Sequence, residues 1–249
     1  MNVPKIKFIK MSLEENIEQI KWMYLDESKS LNCRNATIEY FPDLKEIDKL
    51  SSKDNIYKKI EKVVKECYEY SENKIDEDVK LYNEIWKKYN DQYFKELSRY
   101  LNVDWPSKIK VIEAHIGLIP IFPRYLDSFS FSMSFRLERE KVVEVAAHET
   151  LHFLWFEKWK ELYPMCPRNE YDAPYMAWQY SEMVTDPILN SSRIKNILNV
   201  EEKAYDYFYE IKDGCSTLMD NLKRIFESDK KIEEKIVNGF EYVKKIIKD

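Results

Sequence analysis

The chain has 249 residues, 44% of them hydrophobic, which is enough apolar material for a substantial core and too much for a disordered segment. A net charge of -5, with acidic and basic side chains interleaved along most segments, excludes the concentrated positive field of a nucleic-acid binder. No uninterrupted apolar run is long enough to span a bilayer, so neither nucleic acid nor a membrane is an expected partner.

Only 3 glycines among abundant Lys, Glu, Ile and Tyr point to long helices rather than a turn-rich β fold. Lys5, Lys7 and Lys10 interrupt the first apolar stretch, leaving no signal-peptide core. Cys33, Cys67, Cys166 and Cys215 lie far apart, without the close pairs of zinc ribbons or redox motifs. A cytoplasmic location with free thiols follows as the expectation, and any zinc site has to be built from His and carboxylates.

In chain order, Ser12 and Glu15 form a capping box that opens a helix to about Tyr24, and 31–50, with Pro42 inside it, reads as irregular connection. Ile56, Ile60, Val63, Val64 and Cys67 predict a helix from Asp54 to about Tyr70. A longer amphipathic helix follows, with Tyr82, Ile85, Trp86, Tyr89, Tyr93, Leu97 and Leu101 on one stripe, read as core. Beyond Pro106, 108–116 is β-rich and 128–135 alternates strictly, with Phe129, Phe131, Met133 and Phe135 on one face. Helical periodicity returns over 138–162. Asp172 and Pro174 open a further helix that Pro187 should end or kink, and three helical stretches, near 200–211, 215–227 and 230–247, complete the chain.

The segment 142–156, VVEVAAHETLHFLWF, holds His148, Glu149 and His152 as H-E-x-x-H. Residues four apart on a helix share a face, so both imidazoles can reach one cation, and zinc suits neutral nitrogen ligands. Glu149 stands beside the first ligand, where its carboxylate can take a proton from a metal-bound water without ligating the metal. From Val145 to Phe156 the only ionisable groups are these three, so the element reads as buried.

A catalytic zinc needs a third ligand and an open position. A metzincin continuation is excluded, because Trp155 stands at its Gly position and Lys158, a cation with no lone pair, at its last ligand position. Glu182 in YSEMVTDPIL can complete the site, and Asp186, four residues on, can accept the other ring N–H of a ligating His. Rivals for the third place are Glu157, Glu161, Glu170, Asp172 and His115.

His148-Glu149-Thr150-Leu151-His152 followed by Glu182-Met183-Val184-Thr185-Asp186 resembles the thermolysin-like gluzincin metallopeptidases, over roughly 75–190. The resemblance implies an α+β, mostly helical fold: a zincin-like catalytic core over 106–190 with a small mixed sheet built as a hairpin or meander, a motif helix and a glutamate helix. An N-terminal helical region, 1–105, and a C-terminal one, 191–249, would flank it. It implies one zinc on His148, His152 and Glu182, Glu149 as general base and proton shuttle, and Asp186 orienting His148. Such enzymes commonly add a Tyr or His that stabilises the tetrahedral intermediate, and Tyr163, Tyr205, Tyr207 and Tyr209 are candidates. The strand at 128–135 reads equally as core floor or as an edge for an extended peptide substrate. The function expected is a zinc peptidase. The competing functions are a non-catalytic zincin-fold peptide-binding or regulatory module, and a zinc hydrolase of non-peptide amides or esters.

Overall fold

The computed structural model describes residues 2–25, 32–45, 47 and 52–248. It is mostly helical with a small mixed sheet, an α+β architecture. The chain divides into two units, each assembled from separated stretches: 5–87 with 111–142, and 1–4 with 88–110 and 143–249.

The first unit holds a four-stranded sheet in the order β1-β2-β4-β3, from β1 (Lys5–Lys10), β2 (Val111–Gly117), β3 (Arg124–Tyr125) and β4 (Ser130–Ser134). In β1, Ile6 and Phe8 are buried while Lys5 and Lys7 are exposed, a period of two that the sequence carries in KIKFIK. β1, β2 and β4 run parallel, and β3 is antiparallel to β4. The strands expected at 108–116 and 128–135 therefore pair in parallel, and the hairpin formed in this sheet is the short one of β3 with β4. Between β2 and β4 the chain makes a crossover containing Pro120 and Pro123, which is what parallel pairing demands.

β4 is also not an edge. β3 pairs with Ser130 and Phe131, and Ser132 N–H donates to Pro123 O at 2.9 Å. Both of its faces are buried, so the alternation at 130–134 is one of size rather than exposure. The serines let polar side chains approach: Gln19 donates to Ser132 at 2.9 Å, and Tyr40 and Ser134 hydroxyls meet at 3.3 Å.

Helices α1 (Leu13–Leu25), α2 (Cys33–Tyr40) and α3 (Lys53–Trp86) complete this unit. α2 corrects the irregular reading of 31–50: Pro42 follows the helix rather than interrupting it, and residues 31, 46 and 48–50 lie outside the described residues. α3 is one helix through the position where two were expected, and the break comes later, at 87–89. Asn83 of α3 ties itself to β1, donating to Phe8 O at 2.9 Å and accepting from Phe8 N–H at 3.2 Å. At Gly117 a Cβ would come within 2.5 Å of Asn16 Oδ1, the atom that accepts the Leu118 N–H at 2.6 Å, so only glycine fits there.

The second unit holds α4 (Asn90–Leu101), most of α5 (Arg139–Leu162), and α6 (Met176–Met183), α7 (Thr185–Leu189), α8 (Ser192–Leu198), α9 (Asp206–Glu210), α10 (Leu218–Glu227) and α11 (Ile232–Lys248). A hairpin of β5 (Lys212–Asp213) and β6 (Ser216–Thr217) turns at Gly214, whose φ of 59° is a glycine conformation. The Asp213-Gly214 pair, between the helical stretches expected near 200–211 and 215–227, is a turn signal. Only 206–210 of the helix expected near 200–211 is formed, and α8 has no counterpart in the sequence reading.

No helix among the described residues is long and apolar enough to cross a membrane. No disulfide joins the four cysteines, of which Cys33 is buried and Cys215 exposed.

Candidate metal centre

The motif lies in the middle of α5, where the helix is buried nearly all round: among 145–156 only His148 is more than marginally exposed. Such burial demands internal partners for the polar groups. Thr150 Oγ donates to Ala146 O at 2.6 Å, and Tyr93 of α4 donates to Ala147 O at 2.7 Å. His148 and His152, one turn apart, bring their rings to 4.8 Å with an interplanar angle of 71°.

Glu182 comes from α6, another buried element, near its end. α6 stops at Val184 and α7 begins at Thr185, so the break precedes Pro187 by about one turn, where a proline ring would crowd the preceding carbonyls. Thr185 Oγ donates to Glu182 O at 2.8 Å and holds the chain at this corner.

The three side chains converge. His148 Nε2 and His152 Nε2 are 3.1 Å apart, Glu182 Oε2 is 3.3 Å from His148 Nε2, and Glu182 Oε1 is 3.5 Å from His152 Nε2. Tetrahedral zinc with ligands at about 2.0–2.1 Å has ligand–ligand edges of about 3.3 Å, and each of these contacts is close to that length, the two carboxylate contacts being made by different oxygens of Glu182. Among the described residues, this trio is the group whose donors lie close enough to hold a metal ion together. The His148 side chain keeps 22% of its surface exposed while those of His152 and Glu182 keep 0% and 2%, which leaves one approach open to solvent.

His148 Nδ1 lies 2.8 Å from Glu202 Oε1. Burial alone would lower the His148 pKa, but the charge of Glu202, hydrogen bonds to Glu182 and Glu202 and the charge of Glu149 together hold it well above its usual 6.5. With Nδ1 facing Glu202, Nε2 is turned toward Glu182 Oε2 and His152 Nε2.

Asp186 does not take the orienting place assigned to it. It accepts from Asn190 Nδ2 at 2.8 Å, pairs with Lys223 Nζ at 2.7 Å, and accepts from the Tyr209 hydroxyl. Asp186 is four residues after Glu182 in sequence but lies beyond the break at Val184, in another helix. Glu202 occupies the place instead. It sits in the irregular stretch between α8 and α9, and nothing in its spacing from the motif marks it.

Each rival for the third ligand has another partner. Glu157 pairs with Lys160 at 2.7 Å, Glu161 with Lys158 at 3.0 Å, Asp172 with Arg168 at 2.9 Å, and Glu170 Oε2 lies 3.5 Å from Cys166 Sγ. His115, in β2, has Glu15 at 3.5 Å and Glu113 at 3.7 Å.

The four tyrosines separate. Tyr163 stacks on Trp159 at 4.2 Å in the aromatic core, and Tyr209 is committed to Asp186 and to the Ala204 N–H at 3.1 Å. Tyr205 and Tyr207 stack on one another at 5.8 Å, both partly exposed. Burial first, then the charge of Glu182, push the Tyr207 phenol up to about 12.

Comparison of the chain with protein-family models, curated proteins and solved structures gives no match.

Proposed function

We propose that the chain is a zinc-dependent hydrolase of peptide bonds, holding one zinc on His148, His152 and Glu182 in the manner of the gluzincins. The observation that carries this is the triangle of two imidazole nitrogens and a carboxylate at tetrahedral-edge distances, with one side open at His148. An all-protein structural site would close the fourth position.

Zinc bound there supplies Lewis acidity, which lowers the pKa of water toward about 7 and polarises a carbonyl. Glu149, buried beside His148, accepts the proton of the attacking water and returns it to the leaving amine. Tyr207, with an exposed ring on the segment that follows Glu202, is the candidate to donate a hydrogen bond to the oxygen that becomes anionic. The peptide as substrate rests on the resemblance of the two motifs and on no contact in the structure.

The test is release of products from a mixed peptide library by zinc-loaded protein, by protein treated with chelator, and by Glu149→Gln. Chelator-sensitive cleavage lost in Glu149→Gln is the expected result. Zinc binding without cleavage of any peptide points to a binding module. Cleavage of small amides or esters alone makes the chain a different zinc hydrolase.

A further inference from the structure

We propose that Glu202, rather than Asp186, is the residue that orients His148 for the metal, and that Asn190 is the clamp that keeps it there; this rests on the metal reading above. Glu202 is 4% exposed and makes its 2.8 Å contact to Nδ1, the ring atom away from Glu182. A carboxylate in that position fixes the tautomer, because Nδ1–H donates to it and Nε2 is left with its lone pair directed at the ligand triangle. The other carboxylate oxygen of Glu202 is buried without a hydrogen-bond partner among the described residues, so the bond to His148 is what compensates the side chain. A buried carboxylate with one such bond is costly, and an apolar side chain would serve packing better.

Glu202 lies outside any helix or strand, so something else has to hold its backbone. Asn190, just past α7, does so with both ends of its amide: Nδ2 donates to Glu202 O at 2.8 Å and Oδ1 accepts from Glu202 N–H at 3.1 Å. Asp186 stands behind, accepting from the same Asn190 Nδ2 at 2.8 Å, with Lys223 at 2.7 Å offsetting its charge. The acidic group four residues after the glutamate ligand thus acts at two removes from His148, through an amide and a backbone. The residues after Asn190 are on this reading a working part of the metal centre.

The experiment is zinc affinity by chelator competition, with apo-protein thermal unfolding in parallel, for wild type, Glu202→Ala, Glu202→Gln, Asp186→Asn and the control His148→Ala. Glu202→Ala should bind zinc about 10- to 100-fold more weakly. Glu202→Gln keeps an oxygen acceptor for Nδ1–H and should recover most of that loss, and Asp186→Asn should stay closest to wild type. If Glu202→Ala unfolds, the Gln and Asn variants still rank the two acids. Zinc binding unchanged in Glu202→Ala, or weakened as much by Asp186→Asn as by the Glu202 variants, overturns the proposal while leaving the metal site intact. A wild type that takes up no zinc overturns both.

Discussion

His148 is surrounded by three carboxylates with different tasks: Glu182 faces Nε2, Glu202 faces Nδ1, and Glu149 acts on it by charge. Replacing Glu149, which on the proposed reading neither ligates the metal nor touches Nδ1, separates binding from chemistry. Glu149→Gln should keep zinc at wild-type stoichiometry while turnover falls by roughly 100-fold or more, checked by metal analysis alongside single-turnover kinetics. Unaltered turnover would assign the base elsewhere. Tyr207→Phe removes one hydroxyl from an already exposed ring, so folding should be unaffected. If the hydroxyl stabilises the developing oxyanion, kcat should fall about 100-fold with KM little changed. A change in KM alone would make Tyr207 a substrate contact.

At the scale of elements, Lys158 joins three helices. Its Nζ, buried on α5, donates to Asn102 O at 3.0 Å at the end of α4 and pairs with Glu233 of α11 at 2.7 Å. Asn102 caps α4 in the left-handed conformation, φ 50°, and its amide donates to Glu233 at 2.8 Å. The Lys158 hydrogen bond, then that of Asn102, hold the Glu233 carboxyl down at about 2 from its usual 4.5. A lowered folded-state pKa stabilises above the unfolded value, so this contribution is complete above about pH 4.5 and is lost as pH falls toward about 2. Glu233→Gln should destabilise by about 2 kcal/mol at neutral pH and flatten the acid limb of the stability curve. An unchanged acid limb would mean the junction carries no charge linkage. Gly239 of α11 is the second seam, since a Cβ there would overlap the Tyr180 hydroxyl, which donates to Ile236 O at 3.0 Å. Gly239→Ala should lower the melting temperature despite the better helix propensity of alanine, and a raised one would show that α11 can shift.

Over the whole molecule, what was legible in the sequence is what depends on local spacing. The motif helix, its burial and the one-turn separation of His148 and His152 are written within one element, and Glu182 stood out by lying in an apolar segment. Pairing direction was not legible: 108–116 and 128–135 carry strand signals that are the same for a hairpin and for parallel strands, and β1 hides in six residues of alternating Lys and apolar side chains. Nor was Glu202, whose position is set by the path between α8 and α9 and by Asn190, neither of which has a spacing rule. A break was readable from Pro187, but that Asp186 turns to Asn190, Lys223 and Tyr209 instead of His148 required the three-dimensional path. Each unit is assembled from stretches far apart in the chain, a division that no composition shift announces.

The claim on which the rest depends is that His148, His152 and Glu182 hold the metal together. It is tested most directly by a crystal structure of the zinc-loaded protein, with data collected on both sides of the zinc absorption edge. The account predicts one anomalous peak per chain, with both Nε2 atoms and a Glu182 oxygen at about 2.0–2.2 Å from it. A peak elsewhere, or His115 or another acid in the third position, would contradict it.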